Sequence, residues 1–429
     1  MSSRFRCGLC GRSYPLGRRI RCGCGGLLEV EHEFPEDLDA SIFDGRLGAR
    51  NPPYNSGVWR FKELIHPTID ERYILSRGEG NTGLYGHRRL SAYVGLEGIW
   101  VKHEGENPTG SFKDRGMTVG ISEARRLGVD AVICASTGNT SASLAAYAAQ
   151  AELQCIVLLP EGGVAYGKLA QAIAYGAKVV EVEGGFDAAM HLLEEAVEAL
   201  GLYPLNSINP WRLEGQKTII LELLQQRDWR PPDWIILPAG NLGNTSAFGK
   251  ALRELWELDL IDEIPRLAAI QAEGANPFYR LWREGGELKP VEKPWTIASA
   301  IRIGRPVNWR RALKAIKWTD GVVEQVSDQE IMDAKAMVDR CGIGCEPASA
   351  ASVAGARKLV EMGVIDPGEE IVCILTGNLL KDPELTVKYH RGEIEGVEPH
   401  LANRVMRIEP RIEELEKTLS SPPLRGEKG

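Results

Sequence analysis

The chain has 429 residues, 43% of them hydrophobic, and carries a formal net charge of −8 with an isoelectric point near 5.6. An acidic balance offers no basic stripe to nucleic acid, and no uninterrupted apolar stretch approaches the roughly 20 residues of a membrane-spanning helix, so neither nucleic acid nor a membrane is expected as a partner. The length suits two ordinary domains, and a soluble, cytoplasmic protein is the expectation.

The nine cysteines are odd in number, and Cys134, Cys155 and Cys373 fall in apolar runs, where a thiol behaves as a small core residue. Disulfides are therefore not expected. The first segment holds Cys7-Gly-Leu-Cys10 and, after an arginine-rich loop, Cys22-Gly-Cys24 followed by two glycines. Two close pairs can offer four thiolates to a tetrahedral zinc, a closed site that is structural because no coordination position stays open. A reduced ribbon without metal is the alternative, since the second pair has one intervening residue where two to four are usual. A turn-rich arm follows from residue 46 to 95, with Asn51-Pro52-Pro53 and Gly78-Glu79-Gly80-Asn81-Thr82.

In residues 107–117, Asn-Pro-Thr-Gly-Ser-Phe-Lys-Asp-Arg-Gly-Met, a turn precedes a helix with Lys113 at its head. Gly116 and Gly120 weaken the helical pattern. A cation at the positive end of a helix is mildly unfavourable, and one reason for it is an amine whose pKa must fall for nucleophilic or Schiff-base chemistry. Beyond Ile99, short apolar strands alternate with helices, which argues for parallel βαβ construction. Strands are predicted at Ala131–Ala135, Cys155–Leu159, Lys178–Val182, from Trp234, at Leu267–Ala272 and at Ile371–Thr376. Helices are predicted at Ser141–Ala149, Ala165–Tyr175, Phe186–Leu200, Leu213–Gln226, Asp328–Arg340 and Ala348–Met362. The expected division is a cysteine ribbon and arm over 1–45, a large domain over 46–115 and 214–395, a small α/β domain over 116–213, and a charged tail over 396–429, with 411–429 expected as a frayed helix or disordered.

Two loops at strand ends suit anions, and a third offers a hydroxyl. Ser136-Thr-Gly-Asn-Thr-Ser-Ala-Ser143 opens an alanine-rich helix, and Gly240-Asn-Leu-Gly-Asn-Thr-Ser246 follows an apolar strand; helix N-termini with free N–H groups hold carboxylates and phosphates. The second loop is not a dinucleotide fingerprint, because its third glycine and a ribose-binding acid are missing. Thr376-Gly-Asn-Leu-Leu-Lys-Asp-Pro383 places a hydroxyl at another strand's carboxyl end. A further cluster, Ser207 to Thr218, brings a hydroxyl, Arg212 and Lys217 to a helix start, which suits a phosphate as well as a solvated charged face. An amine beside two anion sites suggests pyridoxal phosphate.

Residues 107–117, 136–148, 207–218, 240–246, 346–352 and 376–383 together resemble the threonine synthase family of fold-type II pyridoxal-phosphate enzymes, in order and over nearly the whole chain. The resemblance implies two open, doubly wound α/β domains of the tryptophan synthase β-like class with an N-terminal cysteine ribbon. It implies Lys113 as the Schiff-base lysine, Asn139 at the cofactor's ring hydroxyl, Gly240, Asn241, Leu242, Gly243 and Asn244 around its phosphate, and Thr376 facing the pyridine nitrogen. Thr137 and Thr140 would hold the substrate carboxylate, Ser207 and Arg212 its phosphate, and Cys7, Cys10, Cys22 and Cys24 a zinc ion. The implied reaction turns O-phosphohomoserine and water into threonine and phosphate, in a homodimer.

The chain departs from the family pattern at Gly83, where proline is usual, and at Asn378 and Leu379, where histidine and glycine are frequent. These changes bear on substrate choice. Alternatives are a cysteate-synthase-like enzyme acting on O-phosphoserine, a threonine or serine dehydratase, and a non-catalytic metabolite-binding relative.

Overall fold

In the first strands, side chains alternate between core and solvent with the period of two that a half-buried strand requires. A computed structural model describes residues 1–161 and 166–420. β1 (Ser2–Cys7) pairs antiparallel with β2 (Ser13–Tyr14) and with β3 (Leu28–Glu33), in which Leu28, Val30 and His32 turn inward. Phe5 of this ribbon meets Trp211 edge-on, with ring centroids 6.1 Å apart. The ribbon thus packs on the body of the protein.

β4 (Leu84–Gly86) and β5 (Ile99–His103) open a second sheet, which the chain leaves through the helix Lys113–Arg126. β6 (Ala131–Ala135), β7 (Gln154–Pro160), β8 (Lys178–Val182) and β9 (Tyr203–Pro204) then form a separate parallel sheet in the order β8-β7-β6-β9. The helix Pro210–Gln225 returns the chain to the larger sheet, completed by β10 (Trp234–Pro238), β11 (Arg266–Ala272), β12 (Val322–Val326) and β13 (Ile371–Leu375). Its order is β12-β11-β10-β13-β5-β4, parallel except for the β4–β5 edge pair. β10 and β13 are buried throughout, as expected of strands covered by helices on both faces.

The predicted elements recur with small shifts at their ends. The helix expected from Leu213 begins three residues earlier, because Asn209 accepts the N–H groups of Trp211 and Arg212 and Pro210 occupies the first turn. Arg212 therefore stands at a helix N-terminus. The helix expected from Ser141 starts at Asn139, and Ala165, expected to begin another, lies outside the described residues. Of the expected charged tail, Ile412–Ser420 is helical, and residues 421–429 lie outside the description.

The two linking helices pack face to face, and glycine makes that possible. A Cβ on Gly215 would lie 2.0 Å from the carbonyl oxygen of Arg115, and one on Gly116 would lie 2.7 Å from that of Arg212. Gly116, which weakened the helical pattern, is thus a crossing point with Gly215, and it brings the start of one helix against the start of the other. In each sheet, moreover, strand order reverses once, between β10 and β13 and between β6 and β9. Ligands of open α/β sheets gather at the carboxyl ends of strands beside such a reversal.

Candidate active site

The turn before Lys113 is held by saturated polar contacts. Asn107 donates to the carbonyl oxygen of Glu104 and accepts from the N–H of Gly80, each at 2.9 Å. The carboxylate of Asp114 accepts from the Thr109 N–H and hydroxyl at 2.6 Å and from Ser143. Burial raises Asp114 to about 6. Gly110 has φ of +83°, and its carbonyl oxygen accepts from Asn378, while the N–H of Phe112 donates to the Thr376 carbonyl at 3.0 Å. The turn is therefore tied to the end of β13. Behind it the buried Arg115 is forked between Glu104 and Glu222, with Lys102 on the same Glu222.

Lys113 is half-buried, and its Nζ lies 4.1 Å from the centroid of the Phe112 ring, with no hydrogen bond or ion pair among the described residues. Burial lowers its pKa to about 7, the charge of Arg212 pushes the same way, and Glu346 opposes them. Such an amine is largely neutral at slightly alkaline pH, as a nucleophile requires.

At the end of β6, Asn139 donates its Nδ2 to both carboxylate oxygens of Glu346 at 3.0 Å, leaving its buried Oδ1 without a partner. The hydroxyls of Thr137 and Thr140 have no hydrogen bond among the described residues, and they stand at the N-terminus of the helix Asn139–Gln150, whose cap position, Gly138, supplies no side-chain cap. Past β9, Arg212 is 1% exposed. Its Nη1 donates to the Leu205 carbonyl at 3.1 Å, while Nε and Nη2 are buried and unpaired. Burial lowers it to about 10. A buried guanidinium with two idle donors is costly unless an anion takes them.

Past β10, Gly240 and Asn241 lead to Leu242, a non-glycine residue at φ +62° that caps the helix Gly243–Glu257 without a side-chain hydrogen bond. Asn244 Oδ1 and Thr245 Oγ1 are buried and unpaired beside the free N–H groups of that first turn. Asn241 is tied down instead, accepting from the N–H of Val307 at 2.8 Å. Past β13, the hydroxyls of Thr376 and Ser349 lie 3.0 Å apart. Ser207 stays half-buried before the Pro210–Gln225 helix.

Lys217 departs from the reading that joined it to the phosphate cluster. Its Nζ is committed to the Leu64 carbonyl at 2.7 Å and to Glu214 and Glu254, in the buried interior between helices. It is structural, which leaves Arg212, with two unpaired buried donors, as the candidate anion-binding cation of that cluster. The departures at Gly83 and Asn378 also find structural reasons. The Gly83 N–H donates to Glu106 at 2.6 Å, which proline could not do, and Asn378 ties the 107–110 turn through Gly110 and the Gly105 carbonyl.

Three residues escaped the sequence reading. Ser111, whose buried hydroxyl is unpaired, and Thr245 lie inside motifs that were noticed for their neighbours. Glu346 opens the 346–352 block of the family resemblance but has no role assigned from the sequence; it joins Asn139 to Lys168, whose Nζ lies 3.4 Å from Glu346 and 2.9 Å from Asp382. That ion pair bridges the two sheets' helices beside Lys113. In the ribbon, the four sulfurs of Cys7, Cys10, Cys22 and Cys24 lie within 4.8 Å of one another, with Cys7 and Cys24 at 3.6 Å and Cys10 and Cys22 at 3.6 Å.

These groups fit pyridoxal phosphate. Lys113 offers an amine to an aldehyde, the turn at 240–245 offers N–H groups and a hydroxyl to a phosphate, Asn139 offers an idle oxygen to a ring hydroxyl, and Thr376 offers a neutral hydroxyl to a ring nitrogen. Residues 75–377 match the model of the pyridoxal-phosphate dependent enzyme family. The chain is similar to the threonine synthase of Methanocaldococcus jannaschii, with 49% identity over 386 residues, 89% of this chain and 94% of that protein. It is also similar to threonine synthase 2, chloroplastic, of Arabidopsis thaliana, with 41% identity over 415 residues, 93% of this chain and 80% of that one. Among solved structures, maize serine racemase superposes with a TM-score of 0.63 at 21% identity, covering 78% of this chain and 96% of that one, which speaks to the fold alone. On these matches the chain belongs to the pyridoxal-phosphate dependent enzyme family and, within it, to the threonine synthases.

Proposed function

We propose that the protein converts O-phosphohomoserine and water into L-threonine and inorganic phosphate. The observation that carries this reading is Arg212, a buried guanidinium with two unpaired donors, close enough to Lys113 to lower its pKa. An unphosphorylated amino acid whose carboxylate is held at Thr137 and Thr140 brings no second anion to those donors.

Pyridoxal phosphate, when bound, supplies an electron-accepting ring that stabilises negative charge beside the substrate's amino group. Lys113 would provide the amine that holds the cofactor's aldehyde and, once free of it, would move protons at the substrate's Cα and Cβ. Its pKa near 7 suits both giving and taking a proton. Gly240 to Asn244, with Thr245, would hold the cofactor phosphate; Asn139, oriented by Glu346, would meet the ring hydroxyl; Thr376 would offer the ring nitrogen a neutral hydroxyl that does not force a proton onto it. Thr137, Thr140 and the N-terminus of their helix take the substrate carboxylate. Arg212 and Ser207 take its phosphate, and the guanidinium charge stabilises that group as it leaves from Cγ.

The ribbon supports a structural zinc. Four thiolates about 2.3 Å from a tetrahedral ion lie about 3.8 Å apart, close to the separations here. Metal analysis of the parent protein and Cys7→Ser tests it: zinc in the first and little in the second is expected, and none in either removes the ion. No helix among the described residues is long and apolar enough to cross a membrane; a cytoplasmic homodimer completes the reading by analogy with the family.

The decisive experiment incubates purified protein separately with O-phosphohomoserine, O-phosphoserine and threonine. Threonine and phosphate in equal amounts from the first are expected. Phosphate without threonine, or turnover of O-phosphoserine or threonine alone, defeats the assignment.

A further inference from the structure

The cysteine ribbon is joined to both phosphate-binding loops by one continuous set of hydrogen bonds. Arg311 uses all three guanidinium nitrogens: Nη2 donates to the Leu28 carbonyl at 2.7 Å, Nε pairs with Glu29 at 2.8 Å, and Nη1 donates to Asn308 Oδ1 at 3.4 Å. The first two partners lie on β3 of the ribbon. The third is a buried amide before the helix Trp309–Trp318. With its oxygen facing Arg311, Asn308 turns Nδ2 to the carbonyl of Asn241 at 3.2 Å and to that of Ser207 at 3.3 Å. Its own carbonyl accepts from Ser246 at 3.4 Å, and the neighbouring Val307 N–H holds the Asn241 side chain.

One amide thus grips the loop after β10 and the loop after β9 together. Its helix is pressed against the helix of the first loop, where a Cβ on Gly249 would lie 2.2 Å from that of Ala315. A guanidinium that merely anchored the ribbon would need only the β3 contacts. The remaining contact fixes which way the amide faces, and an amide turned over would set its oxygen against two carbonyl oxygens.

We propose that Arg311 and Asn308 are positioning residues through which the ordered cysteine ribbon tightens the grip on the cofactor's phosphate and on the substrate's. The proposal rests on the reading of 240–244 as the cofactor's phosphate loop. Neither residue touches reacting atoms; their effect is on binding.

The test titrates pyridoxal phosphate into cofactor-free parent protein and into Arg311→Met, Asn308→Ala, Cys7→Ser and the Arg311→Met/Cys7→Ser double variant, following tryptophan fluorescence. The exposed Arg310, which pairs with Glu287 at 3.1 Å, gives the control Arg310→Ala. Losing one charge-assisted orienting contact is expected to raise the cofactor dissociation constant roughly tenfold in Arg311→Met and in Asn308→Ala, with the control unchanged. Cys7→Ser should weaken binding in the parent and add nothing to Arg311→Met, if the ribbon acts on the loops through Arg311 and not through its contacts with Lys250 and Glu214. KM for O-phosphohomoserine should rise with kcat within about twofold, the mark of lost binding. Unchanged cofactor affinity in Asn308→Ala, or Arg311→Met and Cys7→Ser effects that multiply, overturns the proposal. A lowered melting temperature without loss of affinity does the same, because packing alone explains it. If Arg311→Met does not fold, Asn308→Ala with and without Cys7→Ser decides the question by the same rule. Failure of the parent itself to bind the cofactor refutes the phosphate-loop reading, and the relay falls with it.

Discussion

Replacing Arg212 by methionine separates a ligand-binding charge from a structural one. The methionine stem keeps the packing against the Lys113 helix, where Gly116 lies close to the Arg212 backbone and Gly120 close to its side chain. It removes two buried donors, Nε and Nη2, that have no partner among the described residues. If a substrate phosphate takes both, each charge-assisted hydrogen bond contributes about 1.5–3 kcal/mol, so kcat/KM should fall by roughly 10²- to 10⁴-fold. The ligand-free protein should respond in the opposite sense. Removing an unpaired buried charge relieves a desolvation cost of about 1–3 kcal/mol, against which only the Leu205 carbonyl contact is lost. Its unfolding midpoint should hold or rise. Phosphate release from O-phosphohomoserine, with cofactor content checked by absorbance, measures the first effect, and urea unfolding of cofactor-free protein measures the second. A kcat/KM within threefold of the parent refutes the phosphate assignment, and a marked loss of stability shows that Arg212 is structural.

Lys113, with a pKa near 7, should combine with pyridoxal phosphate at a rate that rises through a midpoint close to that value, and Arg212→Met should move the midpoint upward because Arg212 lowers it; a midpoint near 10 refutes the environment described. Because that pKa lies below the unfolded lysine's, the folded state binds fewer protons between about 7 and 10, and cofactor-free parent should gain stability over Lys113→Met as pH rises through that window, in urea titrations at several pH values. Gly215→Ala, whose Cβ would meet the Arg115 carbonyl at 2.0 Å, should cost about 3 kcal/mol by forcing the two linking helices apart, read by chemical denaturation. Lys217→Met should cost about 3 kcal/mol by breaking its buried ion pairs with Glu214 and Glu254, while KM for O-phosphohomoserine stays within twofold; a large KM effect would return Lys217 to the substrate site.

Much of the candidate site could be read before the fold, because its residues cluster at strand ends. The motifs around Lys113, Asn139, Gly240 and Thr376 each mark a place where an apolar run stops and hydroxyls, amides or glycines begin. The misreading of Lys217 has a geometric cause. Five residues along a helix with 3.6 per turn is a rotation of about 140° from Arg212, so two cations close in sequence point to different sides of the helix. Gly116 weakened a helix when judged by propensity, and only the crossing with the helix of Arg212 explains it. Glu346, 207 residues from Asn139, and the bridge from Arg311 to Asn241 depend on tertiary approach and leave no periodic trace.

The placement of satisfied and unsatisfied polar groups carries the functional argument further. Around Lys113 the supporting residues are saturated: Arg115 is forked between two carboxylates, Asp114 accepts from Thr109 and Ser143, and Asn107 bridges two turns. Directly beside them, Ser111, Asn139, Arg212, Asn244 and Thr245 each keep a buried atom unpaired. Fifteen described residues keep a buried side-chain atom unpaired, and these five sit in the loops and helix starts around Lys113, where cofactor and substrate atoms would pair them. The saturated layer fixes the geometry, and the unsaturated layer leaves binding energy for cofactor and substrate. Ligands that fill it bind the native state alone, so the loaded enzyme should be more stable than the cofactor-free one, by an amount that grows with the logarithm of ligand concentration over its dissociation constant.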